Sequence, residues 1–80
     1  MTPSKLRRPQ YPMPSDVRAA LTTRGLMKAY RARPPYQQND YIGWIERAKR
    51  ASTRARRLAQ MLAELKVGDR YMKMAYRARV

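Results

Sequence analysis

Tyr41-Ile42-Gly43-Trp44-Ile45-Glu46-Arg47-Ala48-Lys49-Arg50-Ala51-Ser52-Thr53-Arg54-Ala55-Arg56-Arg57-Leu58 is the stretch on which the reading of this chain turns. Tyr41, Trp44, Ile45 and Ala48 recur at i, i+3, i+4 and i+7, one face of a 3.6-residue period, and predict an amphipathic helix. Ala55, Leu58, Ala59, Leu62 and Leu65 repeat that spacing and predict a second helix immediately after it. Ser52 or Thr53 is the expected N-cap of the second, because a hydroxyl there can accept from orphan N–H groups of the next turn. The only Trp lies on the apolar face and is expected in the core rather than stacked on a base.

Working outward, the same signals place two more helices upstream. Ser15 is a good N-cap and Asp16 suits the positive end of a helix dipole, so one helix should start at Ser15. Val17, Ala20 and Leu21 form its apolar face, and Gly25 should end it. A short helix over 26–32 buries Leu26, Met27 and Tyr30, and Pro34 and Pro35 stop it. The third helix then runs from just after Pro35 to about Lys49, with Glu46 and Arg50 paired at i, i+4. Gly43 inside it marks either a close helix contact or a tolerated surface glycine. The fourth helix covers about Thr53 to Val67, closed by Gly68 as a left-handed C-cap with Lys66 in its last turn. The expected fold is all-α: a small bundle of four main helices over residues 15–69.

The two ends read differently. Residues 1–14 hold Pro3, Pro9, Pro12 and Pro14 with Lys5, Arg7 and Arg8, the composition of a flexible or extended basic arm. Tyr11 or Met13 is expected to dock on the domain ahead of the first helix. Residues 70–80 match both a helical face (Tyr71, Met74, Ala75, Ala78) and strand alternation (Met72, Met74, Tyr76, Ala78, Val80). A lone strand would lack a partner in a helical chain, so a fifth helix or a frayed tail is expected. Ala29-Tyr30-Arg31-Ala32-Arg33 echoes as Ala75-Tyr76-Arg77-Ala78-Arg79, which two short copies leave as coincidence.

Composition bounds the function. Eighty residues make one small domain that buries only about 60% of its unfolded surface. With no Cys and no His, disulfides, thiol catalysis and Cys/His zinc sites are excluded. The five acids, Asp16, Asp40, Glu46, Glu64 and Asp69, are scattered, and no glycine-rich phosphate loop is present. The inventory argues against an enzyme and against any cofactor. No run of apolar residues is long enough for a transmembrane helix and no secretory signal precedes the domain, so the cytoplasm is the expected location.

Nineteen Lys and Arg against five acids give a formal charge of +14, which favours a polyanionic partner: nucleic acid, an anionic membrane surface, lipopolysaccharide phosphates or an acidic protein. The candidate anion-binding residues are Arg47, Lys49, Arg50, Arg54, Arg56 and Arg57. Arg50, Arg54 and Arg57 fall at i, i+4, i+7 beside the N–H groups and positive dipole end of the fourth helix. Against that stands the reading in which these arginines pair locally or lay their stems over the helix surface.

At these residues the chain resembles a known family. Tyr41-Ile42-Gly43-Trp44-Ile45, then Ala48-Lys49, then Thr53-Arg54-Ala55-Arg56-Arg57, is similar to the signature of the YdeI/OmpD-associated, or bacteriocin-protection, proteins. Met13-Pro14-Ser15-Asp16-Val17, Ala20-Leu21 and the proline pair are similar to it too. The likeness covers about residues 11–67. It implies a small helical module in bacteria, associated with envelope stress, with protection against bacteriocins or cationic antimicrobial peptides and, in one branch, with an outer-membrane porin. It implies no enzymatic activity. The expected function is thus a non-enzymatic interaction module with an unknown protein partner or polyanion; the alternative is a basic nucleic-acid-binding protein acting through phosphate contacts.

Overall fold

A computed structural model of the chain describes residues 11–75. The elements are α1 (Ser15–Arg24), α2 (Met27–Ala32), α3 (Pro35–Glu46), α4 (Ala51–Val67), β1 (Arg70–Tyr71) and β2 (Met74–Ala75). The four expected helices are present. Val17 and Leu21 of α1, Tyr30 of α2, Tyr41, Ile42 and Ile45 of α3, and Met61, Leu62 and Leu65 of α4 form the core.

Local chemistry explains most boundaries. Pro14, extended at φ −67° and ψ 155°, stands at the N-cap of α1 in place of Ser15. Asp16 Oδ1 accepts the Val17 N–H at 2.9 Å, so the carboxylate does the work expected of the serine. Gly25, at φ 68°, ends α1 in the left-handed region. Its N–H donates to Thr22 O and the Leu26 N–H to Leu21 O, the paired bonds of a Schellman stop. Pro35 opens α3, where its missing N–H costs no helical bond.

The expected stop of α3 near Lys49 is displaced to Glu46. No glycine or proline marks this end. Arg57 Nη1 of α4 donates to Trp44 O at 2.7 Å and so occupies the carbonyl that the Ala48 N–H would need to continue the helix. Ala48 donates instead to Ile45 O at 3.2 Å, tightening the last turn. The chain then leaves the helix, and Arg50, extended at φ −111° and ψ 147°, becomes the N-cap of α4. Ser52 and Thr53 therefore sit inside the first turn and not at the cap. Trp44 is also corrected: it is partly buried on the flank of the core. The buried face of α3 is Gln37, Tyr41, Ile42 and Ile45, which turns the indole to the side, under the Arg57 guanidinium at 5.3 Å from the ring centroid.

Gly43 does mark a close approach, but to the N-terminal segment and not to a helix. A Cβ there would lie 2.7 Å from Tyr11 Cε2. The Tyr11 N–H donates to Asn39 Oδ1, one turn away on α3, at 2.9 Å. Tyr11 and Met13 thus dock on the core, as expected of one or the other. Residues 1–10 of the basic arm lie outside the described residues.

The tail forms neither a fifth helix nor a frayed end over 70–75. Arg70 pairs with Ala75 and Tyr71 with Met74 in a two-stranded antiparallel hairpin, so the strand finds its partner by folding back on itself. Met72 (φ 52°) and Lys73 (φ 67°) occupy its turn. Two left-handed residues make a type I′ turn, which normally calls for Asn-Gly. What holds this one is Glu64: its carboxylate accepts the Met72 N–H at 2.8 Å and the Lys73 N–H at 2.7 Å. Tyr71 seats the hairpin on α3, donating to Asp40 Oδ2 at 2.6 Å and packing edge-on against Tyr41. Residues 76–80, with most of the second copy of the echo, lie outside the described residues.

Candidate anion-binding corner

The α3–α4 connection, with Arg47, Lys49 and Arg50, and the first two turns of α4, with Arg54, Arg56 and Arg57, carry the six candidate cations, and the structure divides them into two groups. Arg54 is engaged within the protein. Its Nε and Nη2 hold the two carboxylate oxygens of Asp16 at 2.9 and 3.0 Å, and its Nη1 meets Glu46 Oε1 at 3.2 Å. It ties the starts of α1 and α4 to the end of α3. Glu46 therefore pairs with Arg54 and not with Arg50. Hydrogen bonding from Arg54 holds the Asp16 carboxyl below the usual range, and the same bond raises the Arg54 guanidinium further. Arg57 is engaged as well, through the Trp44 carbonyl and ring.

Arg47, Lys49, Arg50 and Arg56 form the second group. All four are exposed. Arg47 closes α3, Lys49 lies in the connection, Arg50 caps α4, and Arg56 follows in its second turn. No side chain caps the N-terminus of α4 and no acid lies in its first turn. The positive dipole end adds to the exposed cations that flank it, against the two carboxylates held by Arg54. The candidate stripe Arg50, Arg54 and Arg57 presents Arg50 outward while the other two are held inward by acceptors on α1 and α3. Chemically, the corner gathers exposed cations beside the N–H groups of a helix start, the donor set an anion would require.

A second constellation, a buried polar hub, escaped the reading of the sequence. Tyr41 OH donates to Glu64 Oε1 at 2.5 Å, and Gln60 Nε2 to Glu64 Oε2 at 3.1 Å. Arg33, buried, donates to Gln37 Oε1 at 3.0 Å and to the Glu64 carbonyl at 3.2 Å. Burial pushes the Glu64 carboxyl up, but the bonds from Tyr41, the Lys73 and Met72 N–H groups and Gln60 outweigh it and hold the group below the usual carboxylate range. Burial first, and then Glu64 itself, raise the Tyr41 phenol. Among the described residues no buried side-chain polar atom is left unsatisfied, as a polar network must be to tolerate burial. The signal was Glu64 itself, a carboxylate one turn from Met61 and beside Leu65 on the apolar face of α4.

A model of the family described as Bacteriocin-protection, YdeI or OmpD-Associated matches residues 10–68. The chain belongs to that family. Comparison with curated proteins and with solved structures finds no match. The bacteriocin-protection match begins beside Tyr11, which docks on Gly43, and ends at the Gly68 cap of α4; it takes in the whole four-helix bundle and leaves out the hairpin. The bacteriocin-protection family is not a known enzyme family. Among the described residues no helix is long and apolar enough to cross a membrane.

Proposed function

We propose that this protein is a non-enzymatic binding module acting in bacteriocin or antimicrobial-peptide tolerance and envelope stress. The family match over residues 10–68 carries this reading. Its contact with an anionic partner runs through Arg47, Lys49, Arg50 and Arg56, while Arg54 and Arg57 hold the corner in shape. The engaged pair is what supports that division: guanidinium groups already bound to Asp16, Glu46 and Trp44 would have to give up those acceptors before meeting another anion.

The test is genetic and has two arms. A deletion strain should become more sensitive to bacteriocins or cationic peptides, and the wild-type gene should restore tolerance. K49Q/R50Q/R56Q should restore it poorly, whereas K5Q/R7Q/R8Q, with the same formal charge change in the arm, should restore it well. A deletion strain with unaltered bacteriocin, peptide and envelope-stress sensitivity would refute the role. Equal complementation by the two triple variants would assign the effect to net charge and not to the corner. Fractionation of tagged protein tests the cytoplasmic location that accompanies this reading.

A further inference from the structure

The apolar face foreseen for α4 is only half used by the core. Leu62 and Leu65 are buried, but Ala55 and Ala59, and Ala63 beyond them, are exposed. They face α1 across an open trough. One end, about 450 Å³, is walled by Ala19, Ala20 and Thr23 of α1 and by Ala55 and Leu58 of α4. The other, about 440 Å³, continues past Leu26 and Ala63 to Lys66. Arg24, Ala59 and Leu62 line both, so the two adjoin.

The two walls run in the same sense. Asp16, at the start of α1, pairs with Arg54 in the first turns of α4, and Arg24, at the end of α1, shares the far end of the trough with Lys66. The lining residues of α4 run from Ala55 to Lys66, about 17 Å at 1.5 Å per residue, room for three turns of another helix. The floor is built of Ala and Leu, and small side chains let a second backbone come close. The charge is one-sided: no acid lines either half, and in the far half Lys66 joins Arg24. Neither makes an ion pair or side-chain hydrogen bond among the described residues.

We propose that this trough binds an amphipathic helix of a partner protein, with apolar residues at i, i+3 or i+4, and i+7 inserted between α1 and α4 and acidic residues in its first turn held by Arg24 and Lys66. Acidic residues suit a helix N-terminus, so the guest runs antiparallel to α1 and α4, which also opposes its dipole to theirs. The mode is helix-in-groove recognition. It shares with the proposed function only the premise of a protein partner and uses a surface separate from the cationic corner.

The probe is a displayed library of helical peptides of about 14 residues, enough to fill three turns, selected on the folded full-length chain and measured by fluorescence anisotropy. Enriched peptides should carry Asp or Glu in the first turn ahead of the apolar stripe. Ala59→Gln, which fills the trough without charge, and Arg24→Glu with Lys66→Glu should each weaken binding about tenfold or more, a loss of at least ~1.4 kcal/mol. K49Q/R50Q/R56Q should leave affinity within about threefold, a change under ~0.7 kcal/mol. Ala55→Gln, also at an exposed site, replaces Ala59→Gln if circular dichroism shows that variant to have lost helix. Failure to enrich peptides over selection on the filled-trough variant overturns the proposal, as do enriched peptides indifferent to both changes. Sedimentation showing a wild-type dimer that the trough variant abolishes would assign the surface to a second copy and also overturn it. Loss of the genetic phenotype with these binding results intact would refute the proposed role alone.

Discussion

The polar hub beneath the hairpin and the cationic corner at the α3–α4 turn are both assembled from charged side chains, yet they work in opposite ways. In the hub, Glu64 is 6% exposed and satisfies four donors from three parts of the chain. In the corner, the central ion pair is half in water, with the Asp16 side chain at 50% and Arg54 at 27% exposure. Desolvation makes every group in the hub costly to orphan. Solvent screening makes the corner cheap to perturb and leaves its outer cations free to meet another molecule. Structure is concentrated in one region and exchangeable charge in the other.

That contrast can be broken most severely at Glu64. Glu64→Ala removes the acceptor of the Tyr41 hydroxyl, the Gln60 amide and two hairpin N–H groups and should cost about 3–5 kcal/mol, at about 1 kcal/mol or slightly more per lost bond. Denaturant unfolding checks this, and hydrogen exchange at Met72 and Lys73 should accelerate first. Tyr41→Phe removes one donor and should cost about 1–3 kcal/mol. Gly43→Ala should lose about 1–3 kcal/mol through overpacking on Tyr11. With Tyr11→Ala in place, the same change should stabilise by up to ~1 kcal/mol, because alanine is the better helix former. A double-mutant cycle without that reversal would remove the packing explanation. Arg54→Ala sits at the small end, about 0.2–1 kcal/mol, and should shrink further in high salt.

The hub also sharpens the comparison through pH. Glu64 titrates lower folded than unfolded, so its contribution is present above the unfolded carboxylate value, near ~4.3, and is lost as pH falls through the folded one. Acid titration of stability should therefore show a loss in the wild type that is much reduced in Glu64→Gln. An identical acid profile in the two proteins would place the sensitivity elsewhere.

What could be read from the chain alone follows from how local each cause is. Gly25 and Gly68 announce their stops because a left-handed cap is a property of the residue itself. The hairpin did not announce itself, since Met72-Lys73 is a poor I′ turn in isolation and depends on a carboxylate in α4. Trp44 was placed too deep because the pattern Tyr41, Trp44, Ile45, Ala48 hid Gln37, the polar residue that shares the buried face. At the corner, the cluster from Arg47 to Arg57 was visible as composition. Which members stay free was not, because the partner of Arg54 lies 38 residues away at Asp16.

The bond from Arg57 to the Trp44 carbonyl bears on the order of events in folding. It spans thirteen residues, so the end of α3 is written in α4 and does not exist until the two meet. A peptide of residues 35–50 has no instruction to stop at Glu46, and its helix should fray gradually toward Lys49. The corner that presents Lys49 and Arg50 is therefore completed by the docking of α4 on α3. A ligand of the kind proposed for it would distinguish the assembled bundle from any partly folded form of the chain.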